Sequence, residues 1–527
     1  MADSASGQRV RQSSKARSGC SKAKCKTPAH GLARYCPKHA GSARSFITTE
    51  VRDALRSVEF DMWRYSKEEL VYLFEAMFED TGLVYAFSLE EDVLLAFLNA
   101  VKANYNDNPF HNLYHSFCVT QMVFTVLMAC NELPEFLDEW ERLALMVSAV
   151  CHDLDHDGVN NSFHINSKSE LAVIYNDQSC LENHHCSQAF RILHRPPSNL
   201  LSGYSEDEYK KFRKLVIGCV LSTDMGRHFD ILGRFDKLIA PLRAAGASLT
   251  DVSAAQSVDT DAPTFDFGDA GHRALLAQIV LMCCDISNEV RPFSVSRIWA
   301  DRLVEEFGNQ VDREKAMGLP FLPFMDRDQV VLEKSQIGFI AFLLRPLWVS
   351  ASVLLPPLGA YVDAIDENYQ QWSVVVQRNA SNEMLRLLSN LHPEFEEQTV
   401  DAGTVLCRKD EDSDELFFVH EGDVCVVDEQ FDRVLNTFTT GCFFGEIAVL
   451  KGIPRTANVV AKTEARIHVA SKDMVLALLD DHPDFRKTLE QVATIREGVI
   501  HRNAAKGLQS IGLGLIDHDQ LVHMGGG

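Results

Sequence analysis

The sequence predicts a multidomain protein in which an all-α domain is followed by a β-roll domain with flanking helices. The chain has 527 residues and is 46% hydrophobic, which is enough for several cored domains. Over residues 48–377, apolar residues recur at spacings of three and four, as in amphipathic helices. After residue 382 the pattern becomes an alternation broken by glycines, which is typical of strands joined by turns.

The composition argues against several classes of protein. A net charge of −23 at pH 7 disfavours nucleic-acid binding and favours a soluble protein. Uninterrupted apolar runs stay below the ~20 residues of a membrane span, and segment 343–358 is broken by Arg345 and three prolines. The cysteines lack disulfide-like spacing and the N-terminus lacks the apolar core of a secretory signal. We therefore expect a reduced, cytoplasmic protein without a transmembrane segment.

Changes in composition divide the chain into five parts. They are a basic arm (1–44), a helical domain (45–377), a linker (378–393), a β-rich domain (394–500) and a tail (501–527). The arm contains four potential zinc ligands: Cys20, Cys25, Cys36 and His39. Three thiolates and one imidazole could complete a tetrahedral zinc site and form a small zinc knuckle. The loose first spacing and the surrounding lysines favour the alternative, a disordered basic tail.

The helical domain contains a cluster of metal-ligand residue types at the end of an apolar segment. The run 143–150 predicts a buried helix, and His152 and Asp153 follow directly, before Asp155, His156 and Asp157. Buried acids need compensation, and a metal ion is the simplest source. A solvated acidic loop is the alternative for this stretch alone.

Two further stretches offer ligands of the same kind. His111 and His115 stand four residues apart, which would place them one helical turn apart on the same face. Asp285 lies in an otherwise apolar helical pattern, where it needs a cation or several hydrogen-bond donors. Together, two nitrogens and two oxygens form a set suited to zinc: His115, His152, Asp153 and Asp285.

These motifs resemble those of the class I cyclic nucleotide phosphodiesterases. The resemblance covers roughly residues 48–376 and rests on His-Asn-x-x-His from 111, His-Asp-x-x-His-x-Gly-x-x-Asn from 152, Leu-Glu-Asn-His-His from 181, Ser-Thr-Asp-Met from 222 and Gln-Ile-Gly-Phe from 336. The segments 285–292 and 318–327 are most similar to the type-nine, cGMP-specific branch. Phe307 departs from that branch, where a tyrosine is expected.

The resemblance implies a two-metal hydrolysis of the cyclic phosphate. The family's zinc would be held by His115, His152, Asp153 and Asp285, and a second ion, Mg²⁺ or Mn²⁺, by Asp153 and waters. His111 would be the general acid that protonates the departing O3′.

It also assigns residues around these ions. The outer ligands and water-holding groups would be His156, Glu182 and Thr223, and the nucleotide contacts would be Asn288, Gln336 and Phe339. In the family the ring stacks on the purine and the amide bonds its edge. An amide can donate or accept, so Gln336 alone does not distinguish guanine from adenine.

The β-rich domain carries a second nucleotide motif. Its sequence from 441 to 457, together with the Gly turn at 421–424, resembles the phosphate-binding cassette of cyclic nucleotide-binding domains. The candidate ligand-binding residues are Gly445, Glu446, Ile447, Ala448, Arg455 and Thr456. Glycine admits close backbone approach to a phosphate, the carboxylate can accept from a ribose hydroxyl, and the arginine can pair with the phosphate. A hairpin with a surface ion pair is the alternative.

The sequence therefore predicts a 3′,5′-cyclic nucleotide phosphodiesterase that hydrolyses cGMP, with cAMP as a second candidate substrate, and that is regulated by nucleotide bound at the C-terminal domain. Alternatives are a catalytically weak sensor or scaffold protein and a cAMP-preferring enzyme. A third, an HD-type nucleotidase, would lack the Gln336/Phe339 pair and the cassette. A homodimer is a candidate assembly that the sequence does not specify.

Overall fold

The structure is a computed structural model. It describes residues 44–496 except 131–136, 245–262, 393–394, 396, 432, 484, 488, 491 and 495. The candidate zinc ligands of the N-terminal arm and the C-terminal tail lie outside the described residues. The predicted order of a helical domain and then a β-rich domain is confirmed.

Residues 44–391 are helical wherever they form regular structure. The first helices are α1 (Thr49–Ala54), α2 (Lys67–Asp80), α3 (Leu83–Ala86), α4 (Glu91–Lys102), α5 (Leu113–Ala129), α6 (Glu139–Cys151), α7 (Asn161–Ser167) and α8 (Glu170–Tyr175). The next are α9 (Cys180–Leu193), α10 (Glu206–Val220), α11 (His228–Ala244), α12 (Ala270–Asp285), α13 (Phe293–Met317), α14 (Leu332–Phe339), α15 (Arg345–Leu354) and α16 (Gly359–Leu391).

Local sequence sets where several of these helices begin. Ser66, Asp138 and Ser205 each form a capping box with the glutamate three residues later, which satisfies exposed N–H groups at the start of α2, α6 and α10. Helices α5, α6 and α12 are buried along most of their length and pack against one another. Their ends therefore deliver side chains into the interior of the domain.

A π-helical turn, Ile340–Leu344, joins α14 to α15. Pro346 lacks the N–H that would bond the carbonyl four residues earlier, which gives a physical reason for the local change of helical pitch. The combined segment Leu332–Leu354 is long and apolar enough to cross a membrane by length and composition alone. Several of its side chains, such as Leu347 and Trp348, are buried in the helical core. The absence of a transmembrane segment stays a prediction.

The C-terminal domain contains two four-stranded antiparallel sheets. Its strands are β1 (Glu397–Val400), β2 (Val405–Cys407), β3 (Glu415–Glu421), β4 (Val424–Val427), β5 (Val434–Phe438), β6 (Phe443–Phe444), β7 (Asn458–Ala461) and β8 (Ala465–Ser471). One sheet has the order β1-β8-β3-β6 and the other β2-β7-β4-β5. Helix α17 (Glu446–Lys451) lies within the cassette, and α18 (Lys472–Asp481) follows the last strand.

Helix α16 belongs to the cores of both domains. Its first half carries Trp372 into the helical core, whereas Val376, Met384 and Leu388 pack with Leu416 in the core of the β-rich domain. Residues 378–391, the greater part of the segment predicted to be a linker, are thus the end of this helix. The predicted domain boundaries stay predictions, but the connection between the two cores is helical.

Candidate functional sites

The start of α5 separates the roles of the two upstream histidines. Asn112 caps this helix by accepting from the N–H groups of Tyr114 and His115, so His111 lies before the helix rather than within it. The expectation that both histidines occupy one helical face was therefore wrong, because the helix begins between them, after Asn112. Their rings still lie near each other, 5.6 Å apart at 82°.

The end of α6 aims His152 at the same place. The Nδ1 of His152 lies 2.9 Å from the carbonyl of Ala149, to which it donates. With Nδ1 engaged as this donor, Nε2 is the ring nitrogen left to bind a metal ion. Asp153 follows directly, and Asp285 arrives as the last residue of α12.

Four side chains converge where these helix ends meet. The Nε2 atoms of His115 and His152 are 3.2 Å apart and lie 3.2 and 3.1 Å from Oδ1 of Asp285. They lie 3.3 and 3.2 Å from Oδ2 of Asp153. Four ligands at the usual zinc distance of about 2.0 Å stand about 3.3 Å apart in a regular tetrahedron. The donor set therefore fits zinc in both chemistry and spacing.

The electrostatics of this cluster also favour a cation. Burial opposes charge on Asp285, but His152 and His115 together outweigh it and lower the pKa of Asp285 to about 2. The pKa of Asp153 is likewise held well below its usual range, against burial, by the charge of His152 and the close approach of His115. Oδ2 of Asp153 is buried and, among the described residues, has no hydrogen-bond partner. Two anionic carboxylates with a lone pair to spare are what a divalent ion requires.

Glu306, which the sequence interpretation missed, positions His111. Its Oε2 accepts from the backbone N–H groups of Phe110 and His111, at 2.8 and 3.1 Å, and its Oε1 contacts Nδ1 of His111. Burial opposes charge on His111, but Glu306 outweighs it and raises the pKa of His111 to about 9. His111 is thus protonated at neutral pH, and its contact with Glu306 occupies Nδ1 and not Nε2. Because Glu306 lies within a charged stretch of α13, nothing in its spacing distinguished it from a solvated acid.

His156 packs against this proton donor. Its ring stacks on His111 with centroids 4.1 Å apart, and its Nδ1 accepts from the N–H of Gly158. Burial and then the charge of His111 hold the pKa of His156 well below its usual range, so it is neutral. His185, to which the sequence interpretation assigned no role, stacks on the other histidine, His156. Its Nε2 lies 3.7 Å from Oδ1 of Asp153.

Glu182 and Thr223 are the other two residues predicted to hold waters or outer ligands. Burial raises the pKa of Glu182 to about 7, and Asn161 donates to its carboxylate. Thr223 donates to the carbonyl of Val220 and lines a small cavity together with Asp285. Their roles in holding waters stay predictions.

The predicted nucleotide contacts lie on two short segments. Asn288 is in the 3₁₀ turn Ser287–Val290, directly after α12. Gln336 and Phe339 lie one turn apart on α14, with Gln336 buried and Phe339 packed in part against the helical core. Their contacts with a purine stay predictions.

The cassette of the β-rich domain encloses its own arginine. Gly445 has φ +95°, and a Cβ added there would lie 2.4 Å from Nη1 of Arg455, so only glycine fits. Arg455 is buried and donates to the carbonyls of Gly445 and Glu415 and to the hydroxyl of Ser413. The predicted phosphate partner is therefore held beside the start of α17. Ile447 and Ala448 are buried, and Thr456 is partly exposed.

Arg496, another residue that the sequence interpretation missed, covers the acid of the cassette. Its Nη1 donates to Oε2 of Glu446 at 2.6 Å. Its Nη2 donates at 2.6 Å both to Oε1 of Gln377 on α16 and to the carbonyl of Phe443. Glu446 is only 1% exposed as a result. One arginine thus joins the candidate nucleotide pocket to the helix shared by both domains.

Two parts of the sequence match known families. Residues 110–365 match the family described as 3′5′-cyclic nucleotide phosphodiesterase, and residues 397–482 match the cyclic nucleotide-binding domain. The first range contains the four converging donors and His111. The second contains the cassette.

Relatives from animals and amoebae extend these matches. Over 330 residues, the chain is 41% identical to a mouse protein named high affinity cGMP-specific 3′,5′-cyclic phosphodiesterase 9A, which covers 63% of this chain and 56% of the mouse protein. It is 39% identical over 318 residues to cGMP-specific 3′,5′-cGMP phosphodiesterase 3 of Dictyostelium discoideum, which covers 60% of this chain and 63% of that protein. The chain thus spans between half and two thirds of these relatives.

A solved structure covers the helical domain. The phosphodiesterase domain of the RhoPDE fusion protein from the choanoflagellate Salpingoeca rosetta is 34% identical, with a TM-score of 0.54. The match covers 63% of this chain and 96% of that domain.

Proposed function

Because this chain belongs to the 3′,5′-cyclic nucleotide phosphodiesterase family, we propose that it hydrolyses cyclic nucleotides to 5′-monophosphates. The observation that carries the proposal is the convergence of two histidines and two aspartates beside a protonated histidine. A silent scaffold would not need to keep both the complete donor set and a positioned proton donor. Initial rates of cyclic nucleotide hydrolysis by the purified chain test it directly.

Each group in this arrangement has a separate task. Zn²⁺ at the four donors and Mg²⁺ or Mn²⁺ at Asp153 would supply positive charge to the phosphate and an activated water. His111 would give the proton on Nε2 to the departing O3′, while Glu306 contacts Nδ1 on the other side of the ring. Neutral His156 packs against that ring without competing for the proton.

We propose cGMP as the preferred substrate. Support comes from the similarity to proteins named as cGMP-specific in mouse and Dictyostelium. A cAMP preference is the second candidate, since the chain is also 31% identical to a probable 3′,5′-cyclic-AMP phosphodiesterase of Caenorhabditis elegans. Rates measured with each nucleotide over a range of concentrations decide between them through the ratio of their kcat/KM values. A higher kcat/KM for cAMP would contradict the proposal.

We propose that nucleotide bound at the C-terminal domain regulates hydrolysis through α16. Glu446 is buried and its Oε2 accepts from Arg496, so a ribose hydroxyl that bonds this oxygen would displace Arg496. Its departure also breaks the bond to Gln377. The same helix contacts the segment that follows metal ligand Asp285, because Trp372 donates to Glu289 at 3.1 Å. Two arrangements of α16 with different nucleotide affinity would couple the sites.

The direction proposed is activation, which would remove cGMP once its level rises. The test compares hydrolysis by wild type, Arg455→Ala and a chain that ends at residue 377. Arg455→Ala should lose any cGMP-dependent change of rate, and a coupling of ~1–3 kcal/mol would appear as a roughly 5- to 150-fold change in activity. Superimposable hyperbolic curves for all three proteins would contradict regulation by this domain.

We also propose a cytoplasmic location, in line with the acidic composition and cysteine usage, and keep the homodimer as the candidate assembly. Fractionation of cells and sedimentation of the purified chain test these two points. A peptide of residues 15–45 that takes up one zinc ion would establish the zinc knuckle of the arm.

A further inference from the structure

A second cluster of metal-ligand side chains lies in the β-rich domain, apart from both sites described above. Glu397 on β1, His420 on β3 and His468 on β8 each offer one ligand atom within 4.8 Å of the others. Nδ1 of His420 is 3.0 Å from Oε1 of Glu397, and Nε2 of His468 is 3.9 Å from the same oxygen. We propose that these three side chains bind a zinc ion.

The sheet holds the three donors in place. Strand β8 lies between β1 and β3, and Glu397 and His468 face each other as a direct cross-strand pair. The register between β3 and β8 shifts between Val419 and Glu421, which places His420 at an irregularity of the strand. Phe418 pairs with His468, so the alternation of β3 puts His420 on the same face as His468 and Glu397.

The surroundings orient the donors and leave the cluster open on one side. The ring of Phe395 stacks on His468, with centroids 5.0 Å apart and planes at 27°. The side chain of His468 is 16% exposed, whereas that of His420 is 50% exposed. An ion could therefore enter from the solvent and meet one histidine that packing already fixes.

Arg466 holds the carboxylate without occupying the ligand oxygen. Its Nη1 is 3.2 Å from Oε2 of Glu397, which leaves Oε1 directed at the two histidines. The guanidinium also pairs with Glu421, so its positive charge is partly offset. Outer partners of this kind commonly orient the carboxylates that bind metals.

The donor set selects the ion. Two imidazoles and one carboxylate are the ligands of open zinc sites, and imidazole suits Zn²⁺ far better than Mg²⁺ or Ca²⁺. Three protein ligands leave a fourth position for water. Because β1 is the first strand after α16, the ion would tie the beginning of the β-rich domain to its central strands.

Zinc stoichiometry of the full chain tests the site. The variants His420→Ala and Glu397→Gln each remove one donor, and Glu421→Gln is the matched control, since it also removes a carboxylate partner of Arg466. In equilibrium dialysis at micromolar free zinc, the first two variants should bind one ion fewer than wild type, and the control should bind as many. Zinc at the catalytic donors or in the N-terminal arm is common to all four proteins and cancels.

Cobalt provides an independent measurement. The difference in visible absorption between Co²⁺-loaded wild type and His420→Ala should show the bands of one Co²⁺ ion with nitrogen and oxygen ligands. Unchanged hydrolysis of cGMP in His420→Ala verifies that the variant is folded, because its half-exposed side chain leaves no buried cavity. Equal zinc content in wild type, His420→Ala and Glu397→Gln, or a flat cobalt difference spectrum, would overturn the proposal.

Discussion

Two sites differ in how their buried charges are satisfied: the catalytic cluster, which is the four-donor set around Asp153 and Asp285, and the sensor pocket, which is the proposed nucleotide pocket around Glu446 and Arg455. At the catalytic cluster, four donor atoms converge and Oδ2 of Asp153 has no hydrogen-bond partner among the described residues. In the sensor pocket an opposite charge from the chain already faces the carboxylate: Oε2 of Glu446 accepts from Arg496, although Oε1 of Glu446 has no hydrogen-bond partner among the described residues.

The catalytic cluster can bind ions in its present conformation, whereas nucleotide binding at the sensor pocket is expected to change the conformation of that pocket. Ions can bind the catalytic donors without displacing any protein group, so the geometry for catalysis exists beforehand. A nucleotide that bonds Oε2 of Glu446 would compete with Arg496 for this oxygen. We therefore propose that binding changes the conformation around Arg496, which a regulatory response requires.

The largest expected effect comes from removing a metal ligand. Asp285→Ala takes away the oxygen that both histidines approach at 3.1–3.2 Å, so zinc content and hydrolysis should both be lost. Nucleotide binding at the C-terminal domain should remain. Metal analysis and initial rates measure this, with Asp301→Ala, an exposed acid on α13, as the control. More than a few per cent of wild-type activity would remove Asp285 from the ligand set.

Loss of the proton donor should be the next largest effect. His111→Ala should lower kcat by ~10²–10⁴, the usual contribution of a general acid, and leave the metal content unchanged. The reason is that His111 lies outside the four-donor cluster. Zinc that disappears together with activity would mean that His111 and His115 have exchanged roles.

Glu306→Gln should produce a smaller effect that also changes the pH profile. The carboxylate raises the pKa of His111 to about 9, so its removal lowers that pKa and His111 loses its proton at a lower pH. The alkaline limb of kcat/KM should therefore move to lower pH, with a rate loss of about 10-fold near neutrality. An unshifted alkaline limb would contradict the positioning role. Asp312→Asn on the same helix is the control, because Asp312 pairs with Arg327 instead.

The smallest expected effect concerns the sensor pocket. Arg496→Ala removes the group that covers Glu446, so nucleotide should bind the C-terminal domain roughly 2- to 10-fold more tightly. Binding is measured in the Asp285→Ala background, where the ligand is not hydrolysed. Arg486→Ala, which removes an exposed ion pair with Asp480, should leave the affinity unchanged. Weaker binding in Arg496→Ala would show that this arginine supports the nucleotide rather than excluding it.

Elements that depend on local pattern could be predicted from the sequence. Helical periodicity and the change to alternation at residue 382 were sufficient for the order of the two domains, because burial of one face sets the period of each element. The spacing of His115, His152 and Asp153 was sufficient to nominate metal ligands. The structure places them together with Asp285 as expected.

The distant groups that complete each site could be identified only from the packing of the folded chain. Glu306 reaches His111 across 195 residues, and Arg496 reaches Glu446 across 50 and Gln377 across 119. Glu306 and Arg496 each have several charged neighbours in the sequence, so these neighbours do not distinguish them from solvated side chains. Each of these residues has a role because it is buried next to its partner, and that proximity depends on how the helices and strands pack. The same reason explains why the cluster of Glu397, His420 and His468 emerged only when three strands were brought side by side.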